Sequence, residues 1–252
     1  MYKKKLIVAN WKMNPQTLSE ARRILMILEH RAPLMNKSEA VICPPALYLP
    51  AFSHYVHSVK LGAQNMHWEE AGAFTGESSP TMLKPFNVNF AILGHSERRL
   101  GLGETDQMVN VKVRSALRHK IIPIVCLGAV AKAKKTDMKK IVAKQFRATM
   151  KGIEKNELHK IVFVYEPTWA ISTSLHSKPA DGEHARELIM YIHKFAGPNC
   201  RVLYGGTVNK HNAREYAQYS EIDGALVGAA SLDPNNFWEI IKEFERESIH
   251  RG

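Results

Sequence analysis

The chain has 252 residues, 45% of them hydrophobic, enough to bury the core of one sizeable domain. Lys and Arg outnumber Asp and Glu by 35 to 24, and the resulting +11 attracts anions of every kind without choosing among them. Three scattered cysteines, Cys43, Cys126 and Cys200, argue against a disulfide framework or a zinc site.

The opening M-Y-K-K-K-L-I-V-A-N-W has the charged start of a secretory signal. Its apolar run stops at Asn10, short of the roughly 7–15 residues such a signal needs. No stretch approaches the length of a membrane helix, so no membrane partner is expected and a reducing cytoplasm is the expected home.

From there, short β-rich apolar runs alternate with amphipathic stretches. Strand and helix are expected at 5–10 and 17–31, then 39–43 and 45–56, 59–64 and 80–87, and 89–93 and 105–119. The second half continues with 121–126 and 137–154, 161–166 and 180–196, 201–204 and 209–218, and 222–227 and 234–247. Pro123 is awkward inside the fifth strand and is expected at its first residue. Strands alternating with helices imply parallel strands joined by right-handed crossovers. Eight such units match a single (β/α)8 barrel domain over 1–252, with an open doubly wound sheet as the rival.

In a barrel, functional groups gather just after the strands, at the C-terminal face. Asn10 and Lys12 follow the first strand, His95 the fourth, Glu166 the sixth, Gly205-Gly206 the seventh and Gly228 the eighth. Glu166 precedes Pro167, which pushes it toward extended geometry and aims its carboxylate. A carboxylate at an apolar mouth suits a general base; the plainer reading is a salt-bridging Glu at a strand end. His95 lies in G-H-S-E-R-R, where Ser96 is expected to cap a short helix. A helix N-terminus disfavours imidazolium, so a neutral histidine there can donate to a carbonyl oxygen. The plainer reading is a surface histidine in a charged turn. Lys12, with Asn10, can hold a phosphate and steady an oxyanion, or be an ordinary surface lysine. Y-G-G-T-V (204–208) and V-G-A-A-S-L (227–232) put small residues at two strand exits. They read as a phosphate cradle or as plain left-handed turns.

Together these parts describe proton abstraction next to a carbonyl: a carboxylate base, a neutral His and a Lys for the enediolate, and a grip for a distant phosphate. No metal cluster or nucleotide loop is visible in the sequence, and no cofactor is expected.

The sequence resembles the triosephosphate isomerase family along nearly its whole length. The resemblance rests on V-A-N-W-K-M-N (8–14), G-A-Q-N-M-H-W-E-E-A-G-A-F-T-G-E (62–77), I-L-G-H-S-E-R-R (92–99), G-E-T-D (103–106), Y-E-P-T-W-A-I (165–171) and the two glycine-bearing exits. It implies a TIM barrel that interconverts dihydroxyacetone phosphate and glyceraldehyde 3-phosphate without a cofactor, in glycolysis and gluconeogenesis. Glu166 would shuttle the proton and His95 polarise the carbonyl. Lys12 and Asn10 would bind substrate, and Glu97 would support Lys12. Ser172, Gly228 and Ala229, with the region of Thr207, would hold the phosphate. The family is usually dimeric, and the segment 65–77 matches the loop that reaches into the partner, with Thr75 near the partner's site. Exposed Ala73 and Phe74 fit such burial.

The chain departs from the family at three places. The lid usually reads I-G-T-G-K; here, after Pro167 and Trp169, it reads I-S-T-S-L, with Ser172 and Ser174 for both glycines and a few residues more. If closure needs left-handed backbone there, each non-glycine costs about 1–2 kcal/mol. The family's Cys-x-Gly-Glu is Cys126-Leu127-Gly128-Ala129, which removes the expected acceptor for the Trp169 indole. Ala229 replaces the second glycine of a common V-G-G. The expectation is intact chemistry with a less favoured closed lid.

Lys140, Lys144, Arg147, Lys151 and Lys155 form one basic helical face, read here as solvated rather than as a polyanion surface, so nucleic acid is not an expected partner. A second alternative is a barrel that lost turnover and binds phosphate or polyanions, against which stand Asn10, Lys12, His95 and Glu166.

Overall fold

The computed structural model describes residues 4–128, 134–170 and 179–247. Eight parallel strands close into a barrel in chain order: β1 (Lys5–Asn10), β2 (Ser38–Cys43), β3 (Lys60–Ala63), β4 (Val88–Leu93), β5 (Ile122–Leu127), β6 (Val162–Tyr165), β7 (Arg201–Tyr204) and β8 (Gly224–Val227). β8 pairs with β1 from Leu6↔Gly224 to Ala9↔Val227, which closes the ring and removes the open-sheet rival. Outside it lie α1 (Leu18–Arg31), α2 (Leu49–Phe52), α3 (Pro80–Leu83), α4 (Ser96–Leu102), α5 (Asp106–Arg118), α6 (Met138–Thr149), α7 (Gly182–Ala196), α8 (Ala213–Ala217) and α9 (Pro234–Glu247).

The strand period of two sorts the core into two layers. Leu6, Val8, Val41, Phe90, Ile92, Ile124, Val162, Val164 and Leu203 fill the barrel's interior. Their neighbours Ile7, Ala9, Ile42, Ala91, Val125 and Phe163 turn outward and pack beneath the helices. Gly224 shows how tightly the ring is drawn. Its φ is +146°, and a Cβ there would sit 1.9 Å from the carbonyl oxygen of Leu6.

Long helices lie close to the expected spans, whereas the stretch 45–56 does not form one helix. It makes a 3-10 turn over Ala46–Tyr48 and then the single turn of α2. Pro123 is the second residue of β5, not the first, and pairs with Ala91 of β4. Pairing with β6 starts only at Ile124, so the proline occupies a position where the ladder is one-sided. Cys43, Cys126 and Cys200 are free, buried thiols.

Candidate active site

Asn10, Lys12, His95 and Glu166 converge on one cavity of about 120 Å³ at the C-terminal ends of the strands. Its far wall is Gly205 to Asn209 after β7 and Gly228 to Ala230 after β8. The sequence had placed these residues on five separate strand exits, and the closed ring brings them together.

Glu166 continues β6, its backbone N–H donating to the Leu127 carbonyl at 2.7 Å, and only 1% of the residue is exposed. Its carboxylate accepts from the Ser96 backbone N–H (3.0 Å, Oε2) and the Ser96 hydroxyl (2.6 Å, Oε1). Oε1 also lies 3.2 Å from His95 Nε2. Two donors on one buried carboxylate, with the His95 ring close by, hold it in place. Beneath it, burial and then Glu166 push the Cys126 thiol pKa well up, which keeps the sulfur protonated and inert.

His95 itself is the N-cap of α4, with its Nδ1 accepting from the Glu97 backbone N–H at 3.3 Å. This corrects the expected role of Ser96, which is the first helical residue and turns its hydroxyl to Glu166 instead. With Nδ1 occupied as an acceptor, the ring's hydrogen sits on Nε2, the nitrogen that faces Glu166 and the cavity. Gly94, the residue before His95, is held on both sides. Gly94 N–H donates to Glu104 Oε2 at 3.0 Å, and its carbonyl accepts from Arg99 Nε at 2.6 Å. Neither Glu104 nor Arg99 was singled out by the sequence reading. The available signal was Lys112, the partner of Glu104, a charge set in the buried Val109–Val113–Ala116 stripe of α5.

Lys12 has φ +54°, an uncommon backbone for a non-glycine residue. Asn10 Oδ1 accepts from the Lys12 N–H at 3.1 Å, and Gln64 Nε2 donates to the Lys12 carbonyl at 2.8 Å. Its ammonium meets Glu97 Oε1 at 2.6 Å. The chain passes over Gly228, where a Cβ would come 3.5 Å from Lys12 Cε.

Thr207, Gly228 and Ala229 line the cavity. The glycines of the seventh exit are not left-handed turns, because neither Gly205 nor Gly206 has a positive φ. Space explains them. A Cβ on Gly205 would lie 2.4 Å from Val164 Cγ1, and one on Gly206 would lie 2.1 Å from the Tyr204 hydroxyl. Ser172, Ser174 and Ala129 lie outside the described residues. Trp169 is described, and among the described residues its buried indole N–H has no hydrogen-bond partner. Its ring sits 5.6 Å from that of His184, which meets the Tyr165 hydroxyl at 3.0 Å. Burial, then Lys135, lowers the His184 pKa, so this cluster under the Trp is neutral. Among the described residues, no group of three His, Cys, Asp or Glu side chains comes together as a metal site.

A buried carboxylate, a neutral imidazole N–H and a lysine around one small cavity can move a proton between adjacent carbons while steadying charge on their oxygens. Residues 5–244 match the family model for triosephosphate isomerase. A protein named triosephosphate isomerase from Dictyoglomus thermophilum is 42% identical over 251 residues, covering 95% of this chain and 99% of that protein. Relatives of the same name from Dictyoglomus turgidum and Clostridium tetani are 40% and 38% identical, each covering 95% of this chain and 99% and 96% of their own lengths. With a match of this extent, the chain belongs to the triosephosphate isomerase family.

Proposed function

We propose that the protein interconverts dihydroxyacetone phosphate and D-glyceraldehyde 3-phosphate through an enediolate. The observation that carries this reading is the buried Glu166 carboxylate 3.2 Å from His95 Nε2, at a cavity shared with Lys12 and the exits of β7 and β8. Glu166 takes the proton from the carbon beside the carbonyl and returns it to the neighbouring carbon. His95 Nε2–H and the Lys12 ammonium stabilise the oxygens as charge builds on them, and Asn10 holds Lys12 in place. The phosphate sits against Thr207, Gly228 and Ala229. Glu166 is occupied by Ser96 in this structure, so substrate binding has to draw the carboxylate off those donors before it can act. The direct test is turnover of either triose phosphate in D2O without added cofactor. Deuterium at the transferred position is the expected result, in the share of turnovers where the Glu166 carboxyl exchanges its proton before returning it; label and turnover unchanged in Glu166→Gln would remove Glu166 as the proton-shuttling base.

In this reading the enzyme serves glycolysis and gluconeogenesis in the cytoplasm. No helix among the described residues is long and apolar enough to cross a membrane.

Homodimerisation belongs to the same proposal. Met13 (85% exposed), Leu47 (86%), Phe74 (42%) and Leu102 (68%) ride on the loops and helix after β1, β2, β3 and β4, which are consecutive around the barrel. Tyr48 OH donates to the Pro15 carbonyl at 2.8 Å and ties the first two of these loops into one surface. Four large apolar side chains on adjacent loops mark a surface made to be covered, with Thr75 carried in on the third loop. Met13→Glu with Leu47→Glu should convert the dimer to monomer at micromolar concentration by sedimentation velocity, because charges at an apolar interface centre cost several kcal/mol. A variant that sediments as wild type rejects this interface.

Position 129 carries Ala rather than the family's Glu acceptor, and the Trp169 N–H has no partner among the described residues; both support the less favoured lid closure. A hydrogen bond of this kind is worth about 0.5–1.5 kcal/mol net. The expected result is a higher ratio of methylglyoxal, formed when the enediolate expels phosphate to water, to isomerised product than in relatives with a glycine lid. An equal ratio refutes it.

A further inference from the structure

The surplus positive charge is confined to one side of the barrel. Residues 105–160 hold 14 Lys and Arg against 4 Asp and Glu, while the rest of the chain holds 21 against 20. That segment runs from α5 through β5 and α6 to the 3-10 turn at Lys155–Lys160.

Within it, α6 buries Met138, Val142 and Phe146 against the barrel and turns Lys140, Lys144 and Arg147 outward. Lys151 and Lys155 prolong the exposed row past the helix end. Among the described residues, none of these five cations has a carboxylate within ion-pair distance. Their neighbours on the α7 flank are paired: Lys135 with Asp181 at 3.1 Å, Lys139 with Glu187 at 2.5 Å. On the other flank, α5 is joined to the end of α6 by Asn110, whose Nδ2 donates to the Thr149 and Lys151 carbonyls at 2.7 and 2.9 Å. α5 adds exposed Arg114 and Arg118.

Like charges three and four residues apart on a helix repel, so the row costs the fold stability and, among the described residues, gains no ion pair in return. Lys140 to Arg147 spans about 10 Å of helical rise, with cations about one turn apart. This is a convex line of mostly lysine point charges. On the α5 side Trp68 lines a surface cavity with Arg114 and Arg118, but no aromatic stands among the α6 cations for bases to stack on. Nor is there an apolar anchor of the kind a folded protein partner or a bilayer needs. What such a line matches is a linear polyanion with regularly spaced charges. We infer that the α5–α6 face binds the phosphate backbone of nucleic acid, without regard to sequence. The inference is independent of the isomerase reading, because none of these residues lines the cavity.

The test is fluorescence anisotropy of a labelled 20-nucleotide RNA titrated with the full chain. Saturable binding is expected at 50 mM salt, weakening roughly fifty-fold at 200 mM, as follows from about four neutralised phosphates at about 0.7 per phosphate on a single strand. K140E/K144E/K151E should weaken binding at least tenfold with isomerase kcat/KM unchanged; the corresponding Lys→Gln set replaces it if charge reversal prevents folding. Four results overturn the inference: no saturable binding at 50 mM salt, binding unaffected by the variants, equal affinity for polyglutamate of matched charge, or tighter binding to phosphatidylserine vesicles than to RNA.

Discussion

Glu166→Gln is expected to lower kcat/KM by roughly 10²–10⁴, the range general-base catalysis contributes. The substitution keeps the volume of a side chain that is 1% exposed, so it opens no cavity. It removes the group that accepts the proton, and the loss should fall on kcat, since that interaction is made in the transition state. Label exchange from D2O should fall in parallel. Ser96→Ala is the informative control. It deletes the 2.6 Å hydroxyl contact to Glu166 Oε1 but leaves the 3.0 Å backbone donor and the carboxylate. A change of less than about tenfold is expected there, because substrate must break this hydrogen bond before Glu166 acts, so its loss does not fall on the transition state. A Glu166→Gln enzyme within threefold of wild type would remove Glu166 from the reaction, and wild type and variant turning over equally poorly would leave a phosphate-binding barrel.

Much of this site was legible because barrel chemistry collects at strand ends, where single residues can be read in order. Asn10, Lys12, His95 and Glu166 are all one or two residues beyond an apolar run, or at its last position. What stayed hidden were contacts set by closure of the ring. Ser at a helix start ordinarily reads as a cap, yet Ser96 bonds a carboxylate 70 residues away, and only the packing of β4 near β6 brings them together. The same holds for Gly205 and Gly206, which are glycines because Val164 and Tyr204 fill the space a Cβ needs, not because the backbone turns left-handed. Short helices were overread for a local reason. Before α8, Asn212 Oδ1 accepts from Asn209 N–H and Asn209 Oδ1 from His211 N–H, at 2.8 and 2.9 Å. Side chains thereby hold a turn where periodicity suggested helix.

Glu104→Gln should be the most destabilising of the conservative substitutions near the site, by roughly 3–5 kcal/mol in urea unfolding, the cost of leaving one partner of a buried ion pair uncompensated. Glu104 and Lys112 are 4% and 2% exposed, and they form a direct ion pair. Arg98 Nε approaches the same carboxylate oxygen at 3.4 Å. In the variant, the Lys112 ammonium keeps Asn65 Oδ1 at 2.8 Å but loses its countercharge. Replacing both partners, as Glu104→Gln with Lys112→Met, should recover a large part of the loss, since no buried charge then stands alone. A double variant no more stable than the single one would show that lost packing, not lost charge compensation, sets the cost. The effect should also reach catalysis. Glu104 Oε2 holds the N–H of Gly94 while Arg99 holds its carbonyl, so this network fixes the peptide from which His95 projects. A displacement of His95 of about 1 Å is worth on the order of 10² in rate. The same ions reach the proposed dimer loop, because Asn65 Nδ2 donates to Glu77 Oε2 at 3.3 Å and Arg98 approaches Glu77 at 4.0 Å. Glu104→Gln should therefore lower kcat/KM and weaken dimerisation together at a temperature where the chain is still folded. A loss of stability with both unchanged would confine this network to the core of the fold.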